Sequence, residues 1–132
     1  MAVQIPEDIA DLLKREKKAF AYLALVSKDG TPQVTPVWFD YDGVYFIINT
    51  ARGRVKDNIL RRHPKVALLI ADPDTAYRHL QVIGQVVDET EQGADDMIRS
   101  LNVKYHGHPN YVIPAGQVRV TYRVLAERVL ST

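Results

Sequence analysis

The chain has 132 residues, which suits a single domain with one core, and its 46% hydrophobic and 25% charged content is that of a globular protein. Seventeen basic residues against sixteen acidic ones leave a formal charge of +1, which gives no support for a nucleic-acid binder driven by bulk phosphate attraction. Cysteine is absent, so disulfides, thiolate catalysis and cysteine-ligated metal centres are excluded as well. No apolar run approaches the roughly 18–20 residues of a membrane span, and the first residues do not read as a signal peptide. A cytoplasmic protein is expected, with neither membrane nor nucleic acid as a partner.

In chain order, Pro6 to Lys18 reads as a first helix. Proline suits the first helical position, Glu7 and Asp8 favour its positive end, and Lys14, Arg15, Lys17 and Lys18 its negative end. Ala19 to Val26 is almost wholly apolar and reads as a buried strand. Gln33 to Phe39 and Val44 to Asn49 follow as strands, separated by the turns Ser27–Gly30 and Asp40–Gly43, which predicts a three-stranded antiparallel meander. Arg54 to Arg62 is a short helix closed by His63-Pro64, and Val66 to Ala71 is another buried strand. His79 to Val87 is a strand with Gly84 at a bulge or bend. Thr90 to Tyr105 is a helix with Ala94, Met97, Ile98 and Leu101 on one face, and an irregular loop runs to Gly116. Gln117 to Val124 alternates, with Val118, Val120, Tyr122 and Val124 inward and Gln117, Arg119, Thr121 and Arg123 outward. The total is six strands and three helices, a mainly β protein with flanking helices (α+β), and the short strands suggest a small closed barrel.

The most informative stretch runs from Asn49 to Asn58. Arg52, Arg54 and Lys56 crowd the first turn of a helix, where the dipole favours negative charge. Such local inconsistency is expected at functional sites, and a bound anion resolves it. Free backbone N–H groups, Gly53, the Thr50 hydroxyl and the cations make a phosphate cradle; the same residues also suit a solvated basic face neutralised by Asp57. Pro36 inside a strand points to an edge, where Thr35–Trp38 would offer backbone groups and an apolar wall to a planar ring, or simply protect the edge from aggregation. Tyr77-Arg78 opens a strand and could face an anion or a partner subunit. His106-Gly107-His108 lacks a third ligand, so no metal site is expected, and Tyr105, His106 and Tyr111 are read as packing their loop. No nucleophile–base constellation stands out.

The ordered combination of these segments resembles the flavin-binding split-barrel proteins of the pyridoxamine-phosphate-oxidase-like superfamily. It is most similar to the small members that use the deazaflavin coenzyme F420. The resemblance covers nearly the whole chain and rests on Asp29–Gln33 with Val37-Trp38, on Asn49-Thr50-Ala51, Gly53-Arg54 and Lys56, on Leu60–Arg62 with Pro64, on Asp72–Asp74, Tyr77-Arg78 and Gly84, on Lys104-Tyr105 with Gly107, and on Val118–Val120.

It implies a six-stranded antiparallel split barrel, a homodimer with the cofactor at the subunit interface, and a small-molecule substrate. Thr50, Arg54 and Lys56 would hold the phosphate, and the ring would lie along Thr35, Pro36, Val37 and Trp38. Asn49 and Asn58 belong to the same binding segment, and Tyr77 and Arg78 would come from the other protomer. One departure stands out: two and three residues after Lys56, where deazaflavin-using relatives usually have Arg-Asn, this chain has Asn58 and Ile59. The implied activity is hydride transfer from F420 to a small electron-poor organic substrate. The alternatives are an FMN-binding oxidoreductase or oxidase on the same fold, and a cofactor-binding protein without turnover. A plain dimeric interaction module, with the basic turn as ordinary surface, is the reading without a ligand.

Overall fold

The computed structural model describes residues 3–130. Seven strands form one antiparallel sheet: β1 (Ala21–Val26), β2 (Pro32–Val37), β3 (Asp40–Tyr41), β4 (Tyr45–Ala51), β5 (Lys65–Ala71), β6 (His79–Thr90) and β7 (Arg119–Leu130). Two α-helices, α1 (Val55–Arg62) and α2 (Ala94–His106), accompany it. The sheet order is β2-β1-β5-β6-β7-β4-β3. Its two end strands are consecutive in the chain, with only Trp38 and Phe39 between them. Two residues span little distance, so the sheet must curl until its ends nearly meet. The barrel is thus joined by the chain where no ladder joins it, and this is the split.

At the split the backbone of Phe39 lacks a strand partner. Helix α2 replaces it: Tyr105 Oη accepts from Phe39 N–H at 3.2 Å, and Lys104 Nζ donates to the Phe39 carbonyl at 2.6 Å. Tyr105 in turn donates to the Ala19 carbonyl at 2.7 Å, and the Lys104 ammonium lies 3.9 Å from the centre of the Phe39 ring. Burial pushes the Lys104 ammonium down to about 8 and the Tyr105 phenol up to about 12. Phe39, Phe46, Leu23, Leu68, Leu80, Val82, Val120 and Tyr122 fill the barrel, and Ile59 and Leu60 of α1 close it from one side.

Several expectations are corrected. The sheet has seven strands, because Asp40–Tyr41 pairs with Phe46 and Ile47 instead of only turning. The expected meander is absent: β2 pairs with β1, while β3 and β4 lie at the opposite end of the order, where β4 pairs with β7. The closed barrel suggested by the short strands is a split one, as the family resemblance implies. The first helix is two 3-10 turns, Glu7–Leu13 and Arg15–Lys17, separated by an extended Lys14. Ile9, Leu12 and Leu13 bury too narrow a stripe to extend it, and Arg78 holds its Asp8 carbonyl and Asp11 carboxylate. Helix α2 begins at Ala94, because Gly93 at φ 76° ends the preceding turn.

The Ala19–Val26 strand is buried on one side only, with Phe20, Tyr22 and Val26 exposed. Strands β6 and β7 run to Thr90 and Leu130, beyond the expected ends. On β7 the alternation is real, but Arg119 and Thr121 are buried too, and Val118 is exposed. The second face is covered because α2 packs there: Asn49 Nδ2 bridges the Ala94 carbonyl at 2.9 Å and Thr121 Oγ1 at 3.1 Å. The bend at Gly84 is as expected, with a register shift at Ile83/Gly84. No helix among the described residues is long and apolar enough to cross a membrane.

Candidate functional site

Strand β4 ends at Ala51, and the chain turns through Arg52-Gly53 into α1, whose N-cap is Arg54. Gly53 makes this turn at φ 87°, a conformation costly for a side-chain-bearing residue. Asp57, on the first turn of α1, is fully buried and holds the turn in shape. It accepts from Gly53 N–H at 3.0 Å, from Arg52 Nη1 at 3.1 Å and from the Tyr122 hydroxyl. Burial alone would raise its pKa, but these donors outweigh burial and hold the carboxyl below the usual carboxylate range. Burial, with Asp57 beside it, pushes the Tyr122 phenol up.

The three cations of this turn have different fates. Arg52 is consumed within the fold, by Glu89 at 2.7 Å, Glu91 at 2.8 Å and Asp57, and these hydrogen bonds raise its pKa. Arg54 and Lys56 make no ion pair among the described residues. Both line a cleft of about 280 Å³ together with Pro36, Val37 and Trp38 of the β2 end, Asn49 and Thr50 of β4, Ile98 of α2, and Tyr111. No acidic side chain lines it. Thr50 is buried, yet its hydroxyl has no protein partner within the described residues; since no fully buried polar atom there lacks one, the hydroxyl reaches solvent. The wall is aromatic: Trp38 stacks on Tyr105 at 5.2 Å, and His106 and Tyr111 meet it edge-on. Tyr105 stacks in turn on Phe20 at 5.1 Å. An apolar wall beside two unpaired cations and a hydroxyl suits a ligand with a planar ring and an anionic group.

Seven of the expected site residues thus come together: Pro36, Val37, Trp38, Asn49, Thr50, Arg54 and Lys56. Thr35 stands opposite Leu23 on the barrel side of β2 and does not line the cleft. Asn58 is exposed and turned to the Gly53 carbonyl at 3.5 Å. Tyr77 is 91% exposed and also stands outside the cleft. Arg78 is bound within the protomer by Asp11, by Asp72 at 2.9 Å and by the Asp8 carbonyl at 2.6 Å, and its pKa is raised by the two carboxylates.

Sequence reasoning did not place Ile98 or Tyr111 in the site, and it put Arg119 outside. Ile98 and Tyr111 carried only packing signals, and their position depends on where α2 lies. Arg119 is 3% exposed, with Nε 2.9 Å from Asn49 Oδ1 and Nη1 3.0 Å from Gln117 Oε1. A larger groove of about 480 Å³ lies between the first 3-10 turn and Asp40–Tyr41. It is a poorer candidate: its Arg15 is paired with Asp40 at 2.6 Å, and Glu16 lines it too. No group of three or more potential metal ligands occurs among the described residues.

A curled antiparallel sheet split between β2 and β3, with a basic strand–helix turn beside the split, defines a split β-barrel of the flavin-binding kind. The chain belongs to the pyridoxamine 5'-phosphate oxidase family, which residues 5–131 match. A solved F420 reductase is 32% identical, superposes with a TM-score of 0.86 and is aligned over 97% of this chain and 100% of its own. A conserved hypothetical protein of Mycobacterium tuberculosis is 25% identical, with a TM-score of 0.71 over 97% of this chain and 84% of its own. HupZ of Group A Streptococcus, 18% identical with a TM-score of 0.69 over 96% and 92%, shares the fold. Comparison with curated proteins gave no match.

Proposed function

We propose that this protein is an oxidoreductase that binds coenzyme F420 in the Trp38–Lys56 cleft and serves hydride transfer to a small electron-poor organic substrate. One observation carries the proposal. Of three cations in one turn, the fold neutralises Arg52 and leaves Arg54 and Lys56, among the described residues, without an ion pair on a cleft that no acidic side chain lines. Arg54 and Lys56 would neutralise the phosphate, the Thr50 hydroxyl would donate to it, and Pro36–Trp38 would hold one side of the ring. A reduced deazaflavin bound there would supply the hydride and leave as the oxidised coenzyme. The similarity to the F420 reductase supports this choice of cofactor.

Pro36 is exposed at the cleft and continues onto an apolar outer sheet face with Val34, Tyr22 and Leu69, which are 66%, 40% and 36% exposed. A second copy seated on that face would shelter the ring and bring its own Tyr77 near, which makes a homodimer part of the proposal.

Fluorescence titration with F420 and with FMN, side by side, tests the assignment. Selective F420 binding is expected. Lys56→Ala should weaken it at least tenfold, about 1.4 kcal/mol, while the unliganded melting temperature stays unchanged. Unchanged affinity in Lys56→Ala would sink the assignment of the site. The FMN arm matters because Asn58 and Ile59 replace the Arg-Asn pair usual in deazaflavin relatives, and selective FMN binding would move the protein to the flavin branch of the same fold.

A further inference from the structure

Trp38 is the one tryptophan of the chain, and it stands in the two-residue link across the split, at the wall of the cleft. Its side chain makes no hydrogen bond among the described residues. Rings hold it instead: Tyr105 stacks on it at 5.2 Å with 15° between the planes, and His106 and Tyr111 meet it edge-on. A side chain held by rings is only as fixed as those rings are. His106 is exposed, and Tyr111 belongs to the irregular loop after α2. Tyr105 is anchored on the barrel, where its hydroxyl accepts from Phe39 N–H at 3.2 Å and donates to the Ala19 carbonyl at 2.7 Å.

These anchors are chain neighbours of the rings that Tyr105 touches. Ala19 precedes Phe20, Phe39 follows Trp38, and Phe20 and Trp38 both stack on the Tyr105 ring. One side chain thus fixes two stretches of backbone through its hydroxyl and the two adjoining side chains through its ring. The two tasks are separable. Lys104 holds the Phe39 carbonyl independently at 2.6 Å, so the split keeps a clasp without the stack. Tyr105 does not itself line the cleft; whatever it does for a ligand there it does through Trp38.

We infer that Tyr105 is a positioning residue of the cleft, whose ring holds the Trp38 indole as a preformed wall for the planar ring of the ligand. This rests on the reading of the cleft as an F420 site. Ordering a loose side chain on binding costs affinity, and a wall already ordered avoids that cost.

The test uses Trp38 as its own reporter. Time-resolved fluorescence anisotropy of the unliganded protein, F420 titration and thermal melting are compared in the wild type, Tyr105→Phe and Tyr105→Leu. Tyr105→Phe keeps the stack and loses the two hydrogen bonds. It should melt lower, yet hold Trp38 as rigidly as the wild type and bind F420 within about threefold of it. Tyr105→Leu should give Trp38 fast local motion and weaken F420 at least about tenfold. A Trp38 as rigid in Tyr105→Leu as in the wild type overturns the inference, as does a freed Trp38 with unchanged affinity. An equal loss of affinity in the two variants overturns it too, because the hydroxyl and not the stack would then be responsible. Should Tyr105→Leu fail to fold, Tyr105→Met, which has similar reach but no ring, decides by the same readings. Failure of the wild type to bind F420 overturns the F420 reading itself, and this inference with it; normal binding with an unaffected leucine variant overturns this inference alone.

Discussion

Arg52 and Arg54 are two residues apart and identical in chemistry, yet only Arg54 lines the cleft. The difference comes from Asp57, Glu89 and Glu91, two of which arrive from more than thirty residues away. Asp57 was legible as a possible neutraliser of the basic turn; that it is buried, and bonded to Tyr122 of β7, was not. Removing its charge leaves Arg52 less paired and the Tyr122 hydroxyl without its strongest acceptor. Asp57→Asn is therefore expected to cost about 3 kcal/mol, read in chemical denaturation. The carboxyl's folded pKa lies below its ordinary value of 3.8. Its stabilisation is thus complete above that value and fades as pH falls through the folded pKa. Asp57→Asn should lack this acid-limb loss. Wild type and variant losing stability in parallel on acidification would remove Asp57 from that role.

Among the strands, β6 and β7 are the longest, and their pairing carries the sharpest constraint. Gly84 sits where the register shifts, and a Cβ there would stand 2.7 Å from the Leu125 carbonyl oxygen and 2.8 Å from Val124 Cγ1. Backbone cannot yield as a side chain can. Gly84→Ala is expected to cost about 1–3 kcal/mol through overpacking, which lowers the melting temperature by roughly 5–10 °C for a domain of this size. A melting temperature within a degree of wild type would mean that the strands separate freely at the bend. The bend was readable from a glycine inside a strand pattern. The split was expected only through the family resemblance, not from the local pattern: it depends on α2 supplying Lys104 and Tyr105 to the unpaired backbone of Phe39.

At the scale of the whole molecule, one broad face of the sheet has no cover among the described residues. Val34, Ala24, Tyr22 and Leu69 form adjoining rows there through the β2–β1–β5 pairing, and the face runs to Pro36 at the cleft. A charge in its middle should keep two copies apart. Under the proposed homodimer, the wild type is expected to sediment as a dimer and Val34→Glu as a monomer, with F420 affinity reduced as the cleft loses the partner's cover. Since Val34 is 66% exposed, the monomer should keep its fold. A dimer that persists, with unchanged affinity, would leave this face as ordinary surface.

The sequence by itself determined the class of fold, the strands at β1, β2 and β4 to β7, the two α-helices, the bend at Gly84 and the basic turn before α1. These are local matters of period, turn chemistry and charge near a helix start, written in neighbouring residues. The order of strands, the seventh strand at Asp40–Tyr41 and the loss of the expected first helix to 3-10 turns were decided by the tertiary structure. So was the division of three neighbouring cations into one structural and two free. Each depends on a partner distant in sequence: Phe46 for β3, Arg78 for the first turns, Glu89 and Glu91 for Arg52. Arg119 shows the same limit on β7, where alternation distinguished two faces but only the packing of α2 decided that both would be buried.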